Sequence, residues 1–309
     1  MNFSNLLSKM VVLFIFMLVG FICGRTGMID EHARIKFNKL VLYICAPSLI
    51  LSSALGSQLS YSTSDIFLLM LYATLYLAVL MVLAILVVFL LRVKGKERGI
   101  FLFCCVFGNV MFMGFPVIAS LYGDDAVFLL SVTCVPFNFL LYSLGIYLIT
   151  GNQEGTAKIN WKAILTNPAL PATLLAFVFF LLQFRLPAAI EDALSYLGNM
   201  VIPLAMMLIG VSLSTVSFKE IFRDKKVYIY CFIKLIIEPL LIFFLLRPLV
   251  SDQLFFGIIV VECAMPTASI CPIFCTEYGS NTVFASKMVF LSTLCSLVTI
   301  PLIVSLLLL

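Results

Sequence analysis

One stretch constrains the fold of this chain more than any other. It is Val260–Cys275, which reads Val-Val-Glu-Cys-Ala-Met-Pro-Thr-Ala-Ser-Ile-Cys-Pro-Ile-Phe-Cys and lies within a long apolar segment. Pro266 and Pro272 lack an N–H group, and each ring clashes with the carbonyl four residues earlier, so a helix is expected to break here. Carbonyl groups freed in an apolar medium must be bound by protein or by a water-filled cavity. A helix broken at this depth therefore usually lines a site.

The surrounding composition identifies the apolar medium as a lipid bilayer. The chain has 309 residues, of which 63% are hydrophobic and 11% charged, whereas soluble domains are about 45–50% apolar and about 25% charged. Apolar windows of about 20 residues predict ten membrane spans. The predicted spans are Asn5–Gly24, Phe37–Leu55, Ile66–Leu91, Gly99–Leu121, Ala126–Thr150, Ile164–Phe184, Ala193–Leu213, Val227–Leu246, Leu254–Tyr278 and Val283–Leu308.

The positive charges predict how these spans are oriented. Fifteen of the 19 Lys and Arg residues follow odd-numbered spans, and only three lie on the opposite side. Since Lys and Arg concentrate on the cytoplasmic side, both termini are expected outside the cytoplasm. The apolar run near the N-terminus has no small-residue cleavage site after it, so it is interpreted as the first span and not as a removed signal. We expect a multi-pass protein of the plasma or inner membrane.

The longest polar link divides the ten spans into two halves of five. Residues 1–150 form the first predicted repeat, residues 151–163 a cytoplasmic linker and residues 164–309 the second repeat. Because five is odd, the second half enters the membrane upside down relative to the first, as in transporters with inverted repeats.

Prolines at matching places support this division. Spans two and seven contain Pro47 and Pro203, each in an apolar run that ends in serines. Span four contains Gly108–Pro116 (Gly-Asn-Val-Met-Phe-Met-Gly-Phe-Pro), at the same ordinal place as Val260–Cys275 in span nine. Two interrupted spans at corresponding positions of two halves favour a secondary transporter.

Several motifs in order along the chain resemble those of the auxin efflux carrier family. They are Gly108-Asn109 through Gly114-Phe115-Pro116, Ala264-Met265-Pro266-Thr267-Ala268, Glu277-Tyr278-Gly279, and Leu291-Ser292-Thr293 to Ile300-Pro301-Leu302. The resemblance covers essentially the whole chain and is that of a bacterial member.

This resemblance implies an all-α integral membrane fold of ten helices in two inverted five-helix repeats, like that of sodium/proton antiporters. It also implies a scaffold domain and a transport domain, with spans four and nine unwound and crossing at mid-membrane beside the substrate. The expected substrates are small organic anions such as carboxylates.

The predicted substrate-binding residues lie in the two broken spans. They are Asn109, Gly114, Pro116, Pro266, Thr267 and Ser269. The Asn109 amide offers two donors and one acceptor, which suits a carboxylate or an unwound backbone. Its alternative role is a structural hydrogen bond to a neighbouring span. Spacings such as Gly20-x-x-x-Gly24 are expected to serve helix packing.

Three charged residues inside spans are the candidates for ion coupling. Glu262 lies about nine residues into span nine, about 13 Å along a helix, near the bilayer centre. A carboxylate there is expensive and could carry a coupling proton, or it could be a structural partner of a lysine. Lys234 and Glu238 are spaced i,i+4 on span eight and can neutralise each other. The alternative is that Lys234 serves an anionic substrate or Glu262.

Other classes of function find little support. Ten cysteines without C-x-x-C spacing and a single histidine, His32, argue against a metal or redox site, and no cofactor is expected. An intramembrane protease would need a second histidine or mid-span aspartates, so we expect no enzyme. Nucleic-acid binding has no basic run to support it. A sensor or channel on the same fold remains the alternative. The sequence leaves open whether a proton or a sodium ion is coupled to transport. It also leaves open whether the protein forms a homodimer.

Overall fold

Helices form along the apolar runs of the sequence. The computed structural model describes residues 3–55, 61–150, 168–182, 185–214 and 225–308, and within these ranges it contains helices and no strand. The α-helices are α1 Phe3–Arg25, α2 Glu31–Leu40, α3 Ala46–Leu55, α4 Thr63–Leu90, α5 Lys96–Val106, α6 Phe115–Tyr122, α7 Asp124–Leu140, α8 Ile146–Thr150, α9 Ala169–Leu182, α10 Ala188–Asn199, α11 Val201–Ser214, α12 Lys225–Phe232, α13 Glu238–Leu246, α14 Gln253–Cys263, α15 Cys271–Glu277 and α16 Thr282–Leu307.

Among the described residues, six helical segments are long and apolar enough to cross a membrane. They are Glu31–Leu55, Thr63–Leu90, Ala126–Thr150, Ala188–Ser214, Lys226–Leu246 and Thr282–Leu307. Many large side chains on these helices lie open, among them Phe89 at 80% and Val298 at 71% exposure. Exposed apolar surface on this scale is typical of contact with lipid. The prediction of an all-helical membrane protein is confirmed at this level.

Short π turns interrupt several of these helices close to a proline. Three of them, Val41–Cys45, Val110–Gly114 and Ile233–Ile237, end two residues before Pro47, Pro116 and Pro239, respectively. In each case the carbonyl four residues before the proline belongs to the π turn. A proline ring clashes with that carbonyl in a regular helix, and the wider turn relieves the clash. A fourth π turn, Leu141–Gly145, joins α7 to α8.

The described residues pack into two units, each built from both halves of the sequence. Unit 1 contains residues 3–55, 61–70, 111–135, 168–182 and 185–214; unit 2 contains residues 71–110, 136–150 and 225–308. The sequence predicted two repeats, residues 1–150 and 164–309. The two units are groups of packed segments and not repeats, so they do not test this division, which stays a prediction. The predicted linker, residues 151–163, lies outside the described residues.

Unit 1 is held together by helices that approach closely at glycine. Helix α1 packs along α11. A Cβ atom added to Gly20 would overlap the backbone of Met207, and one added to Gly210 would overlap the backbone of Met17. Gly24 faces Ser214 and Val211 of α11 in the same way. The interpretation of Gly20-x-x-x-Gly24 as a packing motif is confirmed.

Unit 2 has an aromatic core around α5. The ring of Phe101 packs edge-on against Tyr230, with centroids 5.5 Å apart, and Phe103 packs against Phe274 at 6.1 Å. Phe107 at the end of α5 packs against Phe137 at 5.7 Å. These contacts fix the C-terminal end of α5 against α12 and α15, and this end is where span four breaks.

Candidate functional site

Span four breaks over three residues. Helix α5 ends at Val106, and Phe107 is extended with φ −99° and ψ 107°. The helix resumes with the π turn at Val110, so Asn109 lies within the break. The sequence predicted the interruption within Gly108–Pro116, and the break lies at the start of that stretch. Pro116 itself lies within the continuous helix Val110–Tyr122, where the π turn before it relieves the clash of its ring.

Span nine breaks over seven residues. Helix α14 ends at Cys263, Ala264 caps it, and α15 begins at Cys271. Pro266 lies inside this break, as predicted. Pro272 instead lies at the start of α15, where its missing N–H group would have no helical partner in any case. Of the two prolines, only Pro266 is part of the interruption.

The two breaks pair with each other inside unit 2. Gly108 and Thr267 form an isolated antiparallel bridge. The amide of Asn109 donates to the carbonyl of Pro266 at 2.6 Å, and the amide of Ala268 donates to the carbonyl of Phe107 at 2.9 Å. Groups that each helix leaves unbound are thus satisfied by the other break, as a buried backbone requires. A Cβ atom on Gly108 would lie 3.2 Å from Met265 Cβ, so glycine permits this close approach.

Polar side chains lie at this crossing, which is formed by the two breaks, residues 107–109 and 264–270. Asn109 Nδ2 donates to Ser269 Oγ at 2.9 Å, which joins the breaks through their side chains as well. The hydroxyl of Thr267 bonds the hydroxyl of Tyr230, and the amide of Thr267 donates to Ser292 Oγ at 3.2 Å. Both Asn109 and Thr267 are buried. The Asn109 bond runs to a neighbouring span, as the structural alternative expected, but its partner is another predicted site residue.

A stripe of buried polar residues on span eight faces the end of α5. It consists of Tyr230, Lys234 and Glu238, spaced four residues apart. Lys234 Nζ donates to Glu238 Oε2 at 2.9 Å and to the carbonyl of Cys105 at 2.8 Å. Tyr230 donates to the carbonyl of Cys104 at 3.1 Å. The predicted intrahelical pair is therefore present, with side chains 1% and 0% exposed.

Glu262 is a second buried acid among the described residues of unit 2. It is the second-last residue of α14 and is 2% exposed. Its carbonyl accepts from the amide of Met265 at 3.2 Å, and this bond closes the turn into the break. The bonds of Lys234 described above run to Glu238 and Cys105. A role for Glu262 in coupling stays a prediction.

Comparison with known proteins identifies the family. A model of the family described as membrane transport protein matches residues 5–304. The chain belongs to the auxin efflux carrier family of membrane transporters. It is 28% identical to a transporter of Methanocaldococcus jannaschii over 94% of this chain and 96% of the relative. It is 22% identical to the transporter YfdV of Escherichia coli K12, over 96% of both chains.

A plant relative connects the chain to the proteins that give the auxin efflux carrier family its name. Auxin efflux carrier component 8 of Arabidopsis thaliana is 21% identical over 63% of this chain and 66% of the relative. The names of all three relatives describe transport. They agree with the expectation that this family member is a membrane transporter.

The predicted site residues of this auxin efflux carrier family member fall into separate groups. Asn109, Pro266, Thr267 and Ser269 meet at the crossing, within unit 2. The charged residues belong to unit 2 as well. Gly114 and Pro116 belong to unit 1 and lie in the helical part of span four. Their predicted role in binding stays a prediction.

Sequence reasoning missed three participants. Tyr230 and Ser292 bond the backbone or side chain of the crossing, and the carbonyl of Cys105 accepts from Lys234. Tyr230 could have been found by extending the four-residue spacing of Lys234 and Glu238 one turn back. Ser292 lies in the motif Leu291-Ser292-Thr293, which was quoted only for the family resemblance. The role of the Cys105 carbonyl depends on a contact between distant segments, which no local pattern in the sequence reveals.

Proposed function

We propose that this protein is a secondary transporter of small organic anions and that it alternates access around the crossing of spans four and nine. The observation that carries the proposal is the paired break, in which Gly108 and Thr267 bridge two interrupted helices. Backbone irregularity at membrane depth is tolerated where it is buried in protein or lines a cavity. Broken helices at corresponding places of two halves are the usual substrate site of secondary transporters.

The proposed architecture is ten membrane helices in two inverted repeats of five. Besides the six long helices, four shorter apolar ones, Val11–Arg25, Val110–Tyr122, Ala169–Leu182 and Gln253–Cys263, fall in the remaining predicted spans. Both helix breaks occur in the fourth span of a half. Unit 1 includes the described parts of the first two spans of each half, together with pieces of spans three to five. This correspondence between halves favours an internal repeat.

The polar groups at the crossing favour an anion as the substrate. The Asn109 amide and the hydroxyls of Ser269 and Thr267 are neutral donors. Asn109 Nδ2 now donates to Ser269 Oγ. A carboxylate oxygen can replace that hydroxyl as acceptor, and bonds with a charged acceptor are about twice as strong as neutral ones. A small carboxylate would therefore gain affinity by inserting between these side chains.

A thermal-shift screen of mono- and dicarboxylates on the purified protein tests the binding site. A ligand at 100 times its Kd stabilises the folded state by about 2.7 kcal/mol. We expect a carboxylate to raise the melting temperature of the wild type and of Asn199→Ala, a control at an exposed residue of unit 1. Without ligand, Asn109→Ala should melt at nearly the same temperature as the wild type. The carboxylate should no longer raise that melting temperature. An equal response in Asn109→Ala would refute the site.

The proposed orientation in the cell membrane follows from the distribution of Lys and Arg. Both termini are placed outside the cytoplasm, and the link between the halves inside. A tag after Leu309 should then be reached by antibody in intact cells. A cysteine at Gln153 should react with a membrane-impermeant maleimide only after permeabilisation. Both positions lie outside the described residues. Reaction of both from the same side would contradict the five-plus-five arrangement.

A further inference from the structure

The C-terminal end of α5 presents carbonyl groups that need partners. The last four carbonyls of an α-helix have no donor within the helix, and the helix dipole places partial negative charge at this end. In α5 two of these carbonyls are bound from span eight. Tyr230 donates to the carbonyl of Cys104, and Lys234 donates to that of Cys105.

The surroundings of the Lys234 ammonium resemble the ligand set of a metal cation. Its nitrogen lies 2.8 Å from a backbone carbonyl oxygen and 2.9 Å from a carboxylate oxygen of Glu238. Hard cations take carboxylate and carbonyl oxygens of this kind, and in transporters the C-terminal ends of broken helices coordinate such ions. Lys234 and Glu238 are buried, at 1% and 0% exposure. The ammonium therefore occupies a dry, oxygen-lined position.

The second carboxylate oxygen of Glu238 adds to this description. Glu238 Oε1 is buried, and the donor beside it is the thiol of Cys105, which is a weak one. A carboxylate that is bound by the ammonium on one oxygen and contacted by a weak donor on the other, next to a helix C-terminus, can also ligate a small cation.

We propose that the Lys234 ammonium is a built-in cation, holding the position at the end of α5 that a sodium or potassium ion would otherwise take. The positive charge neutralises the helix end and Glu238 without any bound ion. This half of the crossing is then complete in the absence of sodium. The inference rests on the contacts within unit 2 and not on the identity of the substrate, so it stands or falls separately from the proposed function.

The rival explanation is an ordinary buried ion pair that only stabilises the fold. The two accounts differ when the amine is removed and the carboxylate is kept. A structural pair then leaves an uncompensated charge that no salt corrects specifically. A built-in cation leaves a vacant site of carboxylate and carbonyl oxygens, which an alkali cation can enter.

The test measures melting temperature in sodium chloride, potassium chloride and choline chloride at equal ionic strength. Lys234→Ala should melt lower than the wild type in choline and recover by about 5 °C in sodium or potassium. Lys234→Ala combined with Glu238→Gln should show no such recovery, because the carboxylate is gone. Lys226→Ala is the matched control. It removes the lysine of the exposed pair with Glu97, 3.1 Å apart, and should not distinguish sodium or potassium from choline.

The wild type provides a second measurement that does not depend on the folding of any variant. Its melting temperature should be the same in the three salts. A sodium- or potassium-specific rise in the wild type would overturn the proposal, since the position would then not be filled by Lys234. The proposal also fails if Lys234→Ala melts identically in all three salts or is not recovered in any of them. It fails equally if the double variant responds as the single one does.

Discussion

The two units differ in the kinds of polar side chain that they bury. In unit 1 the buried polar residues are hydroxyls, and each donates to a carbonyl three or four residues back in its own helix. They are Ser48, Ser53, Ser131, Thr133, Thr173 and Ser214. In unit 2 the buried groups include Lys234, Glu238 and Glu262, which are the buried charges of the described residues. The ammonium of Lys234 bonds Glu238 within span eight and also reaches the carbonyl of Cys105 in another segment of the chain.

The two units also differ in how their helices pack. Helices α1 and α11 of unit 1 approach until a Cβ atom on Gly20 or Gly210 would overlap the opposite backbone. The small residues at this contact let the two helices approach closely. Such close packing holds helices together in a membrane, where no hydrophobic driving force acts between them. In unit 2 two helices are interrupted, and Asn109, Thr267 and Ser269 lie in the breaks.

The contrast separates stability from function. Polar and ionisable groups inside a membrane are expensive and usually functional. Unit 1 avoids that expense, since its hydroxyls satisfy themselves locally. Unit 2 contains the broken helices and buries charged side chains around the crossing. We infer that selection for stability explains the interior of unit 1 and that selection for transport explains the interior of unit 2.

The largest expected effect comes from breaking the buried pair of unit 2. Lys234→Met leaves the Glu238 carboxylate buried beside apolar side chains, and removing one partner of such a pair costs about 3–5 kcal/mol. Adding Glu238→Gln removes the charge and should restore most of the stability. Transport should stay impaired in the double variant, because the end of α5 has lost its cation. Unfolding in lipid or mild detergent, measured beside transport, checks both effects.

A double variant with wild-type transport would show that the pair serves stability alone. The contrast between the units would then lose its main support. The exposed pair of Lys226 and Glu97 gives the baseline, since ion pairs at the surface contribute about 0–1 kcal/mol.

The next effect concerns the glycine contact of unit 1. Gly20→Ala forces a methyl group into the backbone of Met207, and overpacking of this kind typically costs about 1–3 kcal/mol. The protein that remains folded should keep its substrate affinity, because unit 1 is altered only in packing. Leu18→Ala, at a residue 59% exposed, is the control. A Gly20→Ala protein of normal stability with altered affinity would reverse the roles assigned to the two units.

The smallest effect on stability is expected at Glu262. Glu262→Gln keeps the shape of the side chain and mimics a permanently protonated carboxyl group. If Glu262 carries the coupling proton, substrate exchange should persist, and accumulation driven by a pH gradient should disappear. Glu277→Gln, at an exposed residue of α15, should leave both unchanged. Unaltered pH-driven accumulation in a well-expressed Glu262→Gln protein would exclude Glu262 as the coupling group.

The sequence was most informative where the chemistry is local. Pro266 lies in the break of span nine, and the four-residue spacing of Lys234 and Glu238 predicted their pairing. The break of span four lies before Val110 and not at Pro116, because the π turn Val110–Gly114 accommodates that proline within a continuous helix. The predicted roles of Gly114 and Pro116 in substrate binding stay predictions.

The partners of the crossing could not be predicted, since they depend on tertiary structure. The bridge between Gly108 and Thr267 joins segments far apart in sequence, and either break alone would leave its amides unbound. The bond from Lys234 to the Cys105 carbonyl has the same origin. Spacing within a helix restricts which residues share a face, but it does not say which helix end that face meets.

Solute counterflow in proteoliposomes tests the central claim most directly. Vesicles loaded with the carboxylate that gives the largest thermal shift should take up labelled carboxylate transiently above equilibrium. We predict this overshoot for the wild type and for Asn199→Ala, and its loss in Asn109→Ala reconstituted to the same density. Overshoot in Asn109→Ala equal to that of the wild type, or a wild type that binds the carboxylate without exchanging it, would contradict the assignment of the crossing as the transport site.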